Sequence, residues 1–286
     1  MGARENSPPL GTGFRVFTLF VVLVLFVGIQ HFFLPDSVRR IWPWETTPFN
    51  ARFLGALYLA EITAALILLR TNRWAPARTA LVMGLTYTTV VSLVSLAYLD
   101  RFDFADWPAW AWFLVYIIPT FLQADFIRRY RHFPLADSFA TPPLWRIVLL
   151  TQAAVLGVYG LGLLAAPGFF SDFWPWPIDD FHGRVYSSIF LVASAGTLVV
   201  SGVATRIELV TVGLTQAVFS FFAIAGLIIV DQSLNRVDWS ATGTWFWVGA
   251  FAVLLAVNTA VAAFGFLGNP LQLHAAAAPP ASHAAT

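Results

Sequence analysis

Eight stretches of mainly apolar residues alternate with short polar segments, near 14–34, 51–69, 77–99, 108–124, 146–166, 183–204, 208–230 and 244–267. Each approaches the roughly 20 residues a helix needs to cross hydrocarbon. The fourth is the shortest and carries Pro108 and Pro119. Proline is tolerated in a span when neighbours satisfy the freed carbonyl. The first stretch follows Arg4 and Arg15, as a secretory signal would. It ends in His31-Phe32-Phe33-Leu34-Pro35 with no small-x-small cleavage site, so it reads as a retained span.

Composition narrows the class. Of 286 residues, 58% are hydrophobic and 11% charged, against about 25% charged in a soluble domain. All 16 basic residues are Arg, and there is no Cys. A soluble globular enzyme, a disordered chain, a nucleic-acid binder and a disulfide scaffold are excluded. A polytopic membrane protein remains, with the lipid bilayer as its first partner.

Eight spans put both ends of the chain on one side. That side carries ten Arg, including Arg4, Arg70, Arg73, Arg78, Arg128, Arg129 and Arg131. The other carries six: Arg39, Arg40, Arg52, Arg101, Arg184 and Arg236. The positive-inside rule then predicts both termini in the cytoplasm. The basic face suits anionic inner-leaflet lipid. Residues 1–13 and 268–286 read as disordered tails, and His274 and His283 in the second make no metal site.

The chain repeats itself. Trp42-Pro43-Trp44 recurs as Trp174-Pro175-Trp176, an offset of 132 at which Pro35, Phe49 and Arg52 also match Pro167, Phe181 and Arg184. Asp106-Trp107 matches Asp238-Trp239 at the same offset. The spacing predicts an all-α membrane protein with eight transmembrane helices as two parallel four-helix repeats, over 14–131 and 146–267. A proline-rich cytoplasmic linker over 132–145 joins them.

Trp42, Trp44, Trp174 and Trp176 then lie at the outer surface. Two readings fit them: aromatic anchors at the membrane interface, or a rigid lid over a cavity in each half. An Arg at the edge of hydrocarbon snorkels or pairs. The duplicated positions predict ion pairs Arg52–Asp106 and Arg184–Asp238, each within one half.

Chemistry is sought where the duplication breaks. Glu61 lies midway along the second span, where the other half has Ala193. A carboxyl at bilayer centre costs about 2.5–3.5 kcal/mol on insertion scales, so it faces the bundle interior or water. It reads either as a proton relay or ligand anchor, or as a protonated side chain hydrogen-bonded to Thr63, Thr86, Tyr87, Thr88, Thr89 or Gln30. Gln30 and His31 near the end of the first span replace Gly162 and Leu163. His31 reads as a proton-accepting partner at the mouth of a Glu61 cavity, or as an interfacial His. A bis-His haem on His31 and His182 has no further motif behind it. Thr211, Thr215 and Gln216 cluster on the seventh span, where they would line a polar groove.

There is no His-x-x-x-His, His-Glu-x-x-His, Gly-x-Ser-x-Gly or P-loop pattern. The expected sets of catalytic residues, metal ligands and cofactors are therefore empty. Asp179-Asp180 reads as solvated acidic surface. The Trp-Pro-Trp loop followed by Phe-x-x-Arg, over 42–55 and 174–187, resembles a group of uncharacterised bacterial integral membrane proteins. The four-span unit resembles DoxX-like four-helix membrane proteins. These resemblances imply a helical inner-membrane protein and bring no site residues. The Lys-free, Ala- and Arg-rich composition fits a high-GC bacterium. The expected role is structural, sensory or in assembly. The alternatives are a small-solute or proton-coupled transporter centred on Glu61, and a membrane redox or lipid enzyme.

Overall fold

A computed structural model describes residues 8–38, 41–135 and 137–267. Arg4, Arg39, Arg40, His274, His283 and the expected 268–286 tail lie outside them. Among the described residues, eight helices are long and apolar enough to cross a membrane. They are α1 (Thr12–Phe33), α2 (Pro48–Thr71), α3 (Trp74–Ala97), α4 (Trp107–Tyr130), α5 (Pro143–Ala165), α6 (Asp180–Gly202), α7 (Arg206–Leu234) and α8 (Thr242–Leu267). The protein is an integral, multi-pass membrane protein by this measure.

Helix ends follow local chemistry. Thr47 caps α2 by accepting the Asn50 N–H, and Pro48 opens it. Proline suits a first turn because that N–H has no helical acceptor. Thr205 and Glu208 form a reciprocal capping box at the start of α7. Asn72 and Asn235 end α2 and α7 in the left-handed conformation, with φ 45° and 49°. The prolines of α4 split in role: Pro108 lies in the first turn, whereas Pro119 sits inside the helix. The helix runs on to Tyr130, past the expected end at 124, because Arg128 and Arg129 pair with Asp125 one turn back.

The two halves interlock. Helix α1 packs on α2, and α4 packs on α3. Helix α5 packs on α6, and α8 packs on α7. Across the halves, α2 packs on α7, and α3 packs on α6 and α7. Contact between α2 and α3, or between α6 and α7, is slight by comparison. Neither half is a four-helix bundle by itself, since each inner helix packs both on the outer helix of its own half and on an inner helix of the other.

Helix pairs approach closely where a side chain is missing. A Cβ on Gly55 would lie 2.4 Å from the Phe32 backbone nitrogen, so α1 and α2 touch there through backbone. Gly213 does the same for α7 and α8, with its Cβ position 2.6 Å from the Ala262 nitrogen. Small residues serve membrane bundles because lipid provides no hydrophobic drive between helices, leaving close packing to hold them.

Side chains add ties at the face where α1 begins and α8 ends. Glu208, fully buried, accepts from Arg78 Nε at 2.7 Å and Thr79 Oγ1 at 2.9 Å. Its other oxygen accepts from the Thr205 N–H and hydroxyl. This buried charge thus has its partners and joins α3 to α7. Residues 8–11 were expected within a disordered tail. Instead Leu10 is buried, and its backbone exchanges hydrogen bonds with the Asn72 carbonyl and amide. The 132–145 connector pairs Phe139–Ala140 with Val203–Ala204 as a two-residue antiparallel ladder.

Replacing Gly55 by alanine is expected to destabilise the protein by about 1–3 kcal/mol, as overpacking against backbone does. Gly249→Ala, on the exposed face of α8 with open space around it, is expected to be neutral or to stabilise by up to about 1 kcal/mol. Unfolding both variants in detergent checks the contrast, and equal effects would contradict it.

Candidate functional site

Helix α2 places Tyr58 and Glu61 one turn apart, and α3 presents Gly84, Tyr87 and Thr88 toward them. Helix α4 contributes Tyr116, Pro119 and Gln123. These residues surround a cavity of about 160 Å³. Its remaining wall is mainly apolar, from Phe20 and Val24 of α1, Val192 of α6 and Phe219 of α7. Pro119 lacks the N–H that would bond the Val115 carbonyl, and both residues line this space. Gly84 makes room for the Gln123 amide, since a Cβ there would lie 2.7 Å from Gln123 Oε1.

Tyr116 is the centre of a tyrosine triad. Its hydroxyl lies 3.1 Å from the Tyr58 hydroxyl and 3.1 Å from that of Tyr87. All three side chains are buried. Three hydroxyls carry three protons, and two hydrogen bonds use two of them, leaving one proton to donate elsewhere. Trp112 packs its ring 4.1 Å from Tyr116 and donates to Ser95 Oγ at 2.9 Å. Trp42 and Trp44 pack on Trp112 in turn, so aromatic rings continue from the triad to the Trp-Pro-Trp loop.

Glu61 is half-buried, and it faces this cavity. Among the described residues no hydrogen bond or ion pair to its carboxyl is formed. The expected partners are engaged elsewhere or absent from the cavity. Thr63 and Thr86 return their hydroxyls to their own helices, at Leu59 O and Val82 O. Tyr87 belongs to the triad. Thr88 lines the cavity with its hydroxyl unpartnered. Thr89 and Gln30 do not line it.

His31 is also outside the cavity. It is buried under Trp42, with ring centroids 4.0 Å apart, and its Nδ1–H donates to Gly28 O at 3.1 Å. That bond leaves Nε2 as an acceptor with no protein partner. The reading of His31 as a partner of Glu61 is therefore corrected: the α1–α2 contact turns its ring toward the aromatic layer.

The loop tryptophans are corrected as well. Trp174 and Trp176 are buried, and Trp42 and Trp44 are half-buried, so the loops fold over the bundle end. Each clamps the opposite half. Trp44 Nε1–H donates to His182 Nε2 at 3.1 Å, and Trp176 Nε1–H donates to Asn50 Oδ1 at 2.9 Å. Trp44 also meets Phe181 edge-on, and Trp176 stacks on Phe49. His182 accepts from Trp44, so its proton sits on Nδ1 and donates to Asp179 Oδ1 at 2.8 Å. With both nitrogens used, His182 is not a haem ligand here. Asp179 is exposed, as expected of acidic surface, but it also caps α6 and orients His182.

Neither predicted ion pair forms. Arg184 Nη1 lies 3.2 Å from Asp180 Oδ2 and 2.5 Å from the Tyr98 hydroxyl. Asp238 turns to Ser240, accepting from its N–H and hydroxyl. Arg52 makes no salt bridge to Asp106, and Asp36 is the charge that acts on it. Arg184 and Asp238 are each engaged by a residue within one helical turn, whereas Arg52 lies near Asp36 of the preceding segment.

In the second half, polar side chains fill the core. Gln152 Nε2 donates to Gln216 Oε1 at 2.7 Å and to Asn258 Oδ1 at 3.2 Å. Gln216 Nε2 reaches Thr197 Oγ1 at 3.0 Å. Thr215 and Gln216 also line the cavity, whereas Thr211 bonds back to Ile207 O. Sequence reasoning missed Tyr58, Tyr116 and Gln123 as site residues. The available signal was three mid-span tyrosines in one half, Tyr58, Tyr87 and Tyr116, whose counterparts at the offset of 132 are Phe190, Phe219 and Val248. Among the described residues, no cluster of three or more His, Asp or Glu is placed to hold a metal.

The His182 ring holds the Asp179 carboxyl down at about 2, below its ordinary value near 4. A depressed carboxyl stabilises the fold above the ordinary value, and this is lost as pH falls through the lowered one. Asp179→Asn is therefore expected to lower the unfolding temperature at pH 5–7, with the gap to wild type closing between about pH 4 and 2. Thermal unfolding across that range reads the gap, and a gap that stays constant would contradict the assignment.

No family model, curated protein or solved structure matches this chain.

Proposed function

We propose that this integral membrane protein is a small-solute carrier in which Glu61 exchanges a proton or cation inside the bilayer. The observation that carries the reading is a carboxyl with no protein partner facing a cavity of about 160 Å³. A charge-bearing group in hydrocarbon is costly, and its retention without a structural partner marks function. The setting is a bacterial inner membrane with both termini cytoplasmic, which the Arg distribution supports.

The chain is read as two parallel four-helix repeats. Exchanging α1–α4 with α5–α8 carries the helix packing pattern onto itself. It also carries the Trp44–His182 bond onto Trp176–Asn50. Trp110 Nε1–H bonds Phe104 O, as Trp245 Nε1–H bonds Trp239 O. Carriers built from parallel repeats place their sites near the midplane where the repeats meet. Here the cavity lies among α1–α4 and is closed by α6 and α7, and the second repeat has a polar core of Gln152, Gln216 and Asn258.

A second reading, a structural or assembly role, is favoured by the duplicated Trp clamps, which hold the two halves together without involving Glu61. Proteoliposomes loaded with a pH-sensitive dye separate the two. After an external pH step, wild type is expected to move protons at least tenfold faster than protein-free vesicles, and folded Glu61→Gln is expected to return to that baseline. Equal flux through both proteins, or none through either, would leave only the structural role.

A further inference from the structure

The cavity has unused donors, the triad's spare proton and two threonine hydroxyls, but the charge its lining can carry is one-sided, that of the Glu61 carboxyl. Gln123 Oε1 is buried without a partner, and it can only accept. The Glu61 carboxyl adds two more acceptor oxygens when ionised. Thr88 and Thr215 supply hydroxyls that are also buried and unpartnered. No Arg or His lines the space. Such a site is complementary to a donor-rich cation and repels an anion, which would find no positive charge.

Size and surface restrict the rest of the ligand. A cavity of about 160 Å³ is close to the engineered cavity of about 150 Å³ that takes up one benzene ring. The wall is apolar outside the Glu61 region and includes the tyrosine rings, whose faces attract cations.

Access is lateral. Helices α1 and α4 meet at the end where the chain starts, through Phe14 and Phe126 with centroids 5.2 Å apart and through the Gly11 N–H to the Tyr130 hydroxyl. They do not pack along their length. At mid-height Phe20 lines the cavity and is also 46% exposed on the outer surface of α1. Phe20 thus lies between the cavity and the apolar outer surface of the bundle.

We propose that the Glu61 cavity binds a primary ammonium attached to a single aromatic ring, arriving from the bilayer between α1 and α4. This rests on the reading of Glu61 as a binding carboxyl. The neutral amine partitions into lipid, enters past Phe20 and takes the carboxyl proton. One N–H bond forms, one O–H bond breaks, and an ammonium–carboxylate pair results with no other reactant. The ammonium has three N–H donors for Glu61, Gln123 Oε1 and a threonine hydroxyl, while the ring fills the apolar part.

The test uses three probes of one shape: 2-phenylethylamine, 2-phenylethanol and phenylacetate. Each is titrated into the full chain in lipid nanodiscs by calorimetry. The amine is expected to bind at least tenfold tighter than the alcohol, and phenylacetate is expected not to bind. In Glu61→Gln the amine should lose that preference while the alcohol binds as before. Ala193→Leu, which fills the cavity from α6, should weaken amine and alcohol together. Equal affinity for amine and alcohol, a preference that survives Glu61→Gln, or no amine binding would each overturn the proposal. The proton-flux experiment is read separately, so flux without amine preference overturns the ligand class alone. Amine binding without flux overturns the carrier reading and leaves the ligand class standing.

Discussion

Hydrocarbon has no water with which to satisfy a polar group, and the organisation of this protein follows from that constraint. Backbone groups are satisfied by helices. Threonine hydroxyls at 63, 86, 120, 197 and 211 return to carbonyls one turn back on their own helices. Glu208 is surrounded by Arg78, Thr79 and Thr205. Gln152, Gln216 and Asn258 satisfy much of one another's capacity. Against this background Glu61, Gln123 and Thr88 are distinctive, because their remaining capacity converges on a single cavity.

The interlocked halves give that cavity its walls. Helices α2 and α3 belong to the first half but pack as much on α7 and α6 of the second as on α1 and α4. The cavity is therefore built from six helices, with the tyrosine triad on one side and Ala193, Thr215 and Gln216 on another. The Trp-Pro-Trp loops close the bundle end above it. Each loop bonds the start of the opposite half's inner helix, so neither half can shift without breaking an indole hydrogen bond. The two bonds differ in chemistry: the acceptor is an amide oxygen in Asn50 and a ring nitrogen in His182, whose other nitrogen bonds Asp179.

Much of the fold was legible in the chain. The apolar stretches located all eight helices to within a few residues, because crossing hydrocarbon demands a composition that few other segments have. The fourth helix, the shortest stretch, ran longer than its apolar run because Asp125 and Arg128–Arg129 neutralise one another on its last turns. Glu61 stood out because a lone mid-span carboxyl is rare. Pairing was not legible. Arg184 had two Asp within plausible reach, and Asp180 lies only one helical turn from it. For the Trp loops the sequence allows an interfacial anchor or a lid over each half, and the N–H groups of Trp44 and Trp176 find acceptors across the two halves instead of in the membrane interface.

The sequence by itself determined the medium, the number of membrane-spanning helices and the mid-span acid, Glu61, that has no counterpart in the other half. These depend on composition and on position along one chain segment, where local free energies of transfer dominate. Only the tertiary structure decided which helices face each other, that Tyr58, Tyr87 and Tyr116 converge, and that Glu61 meets open space rather than a threonine hydroxyl. Those outcomes depend on residues tens of positions apart arriving at the same depth and rotation. Between apolar helices in lipid, that arrangement is set by small-residue contacts such as Gly55 on Phe32 and by a few polar bonds, whose partners are not encoded locally.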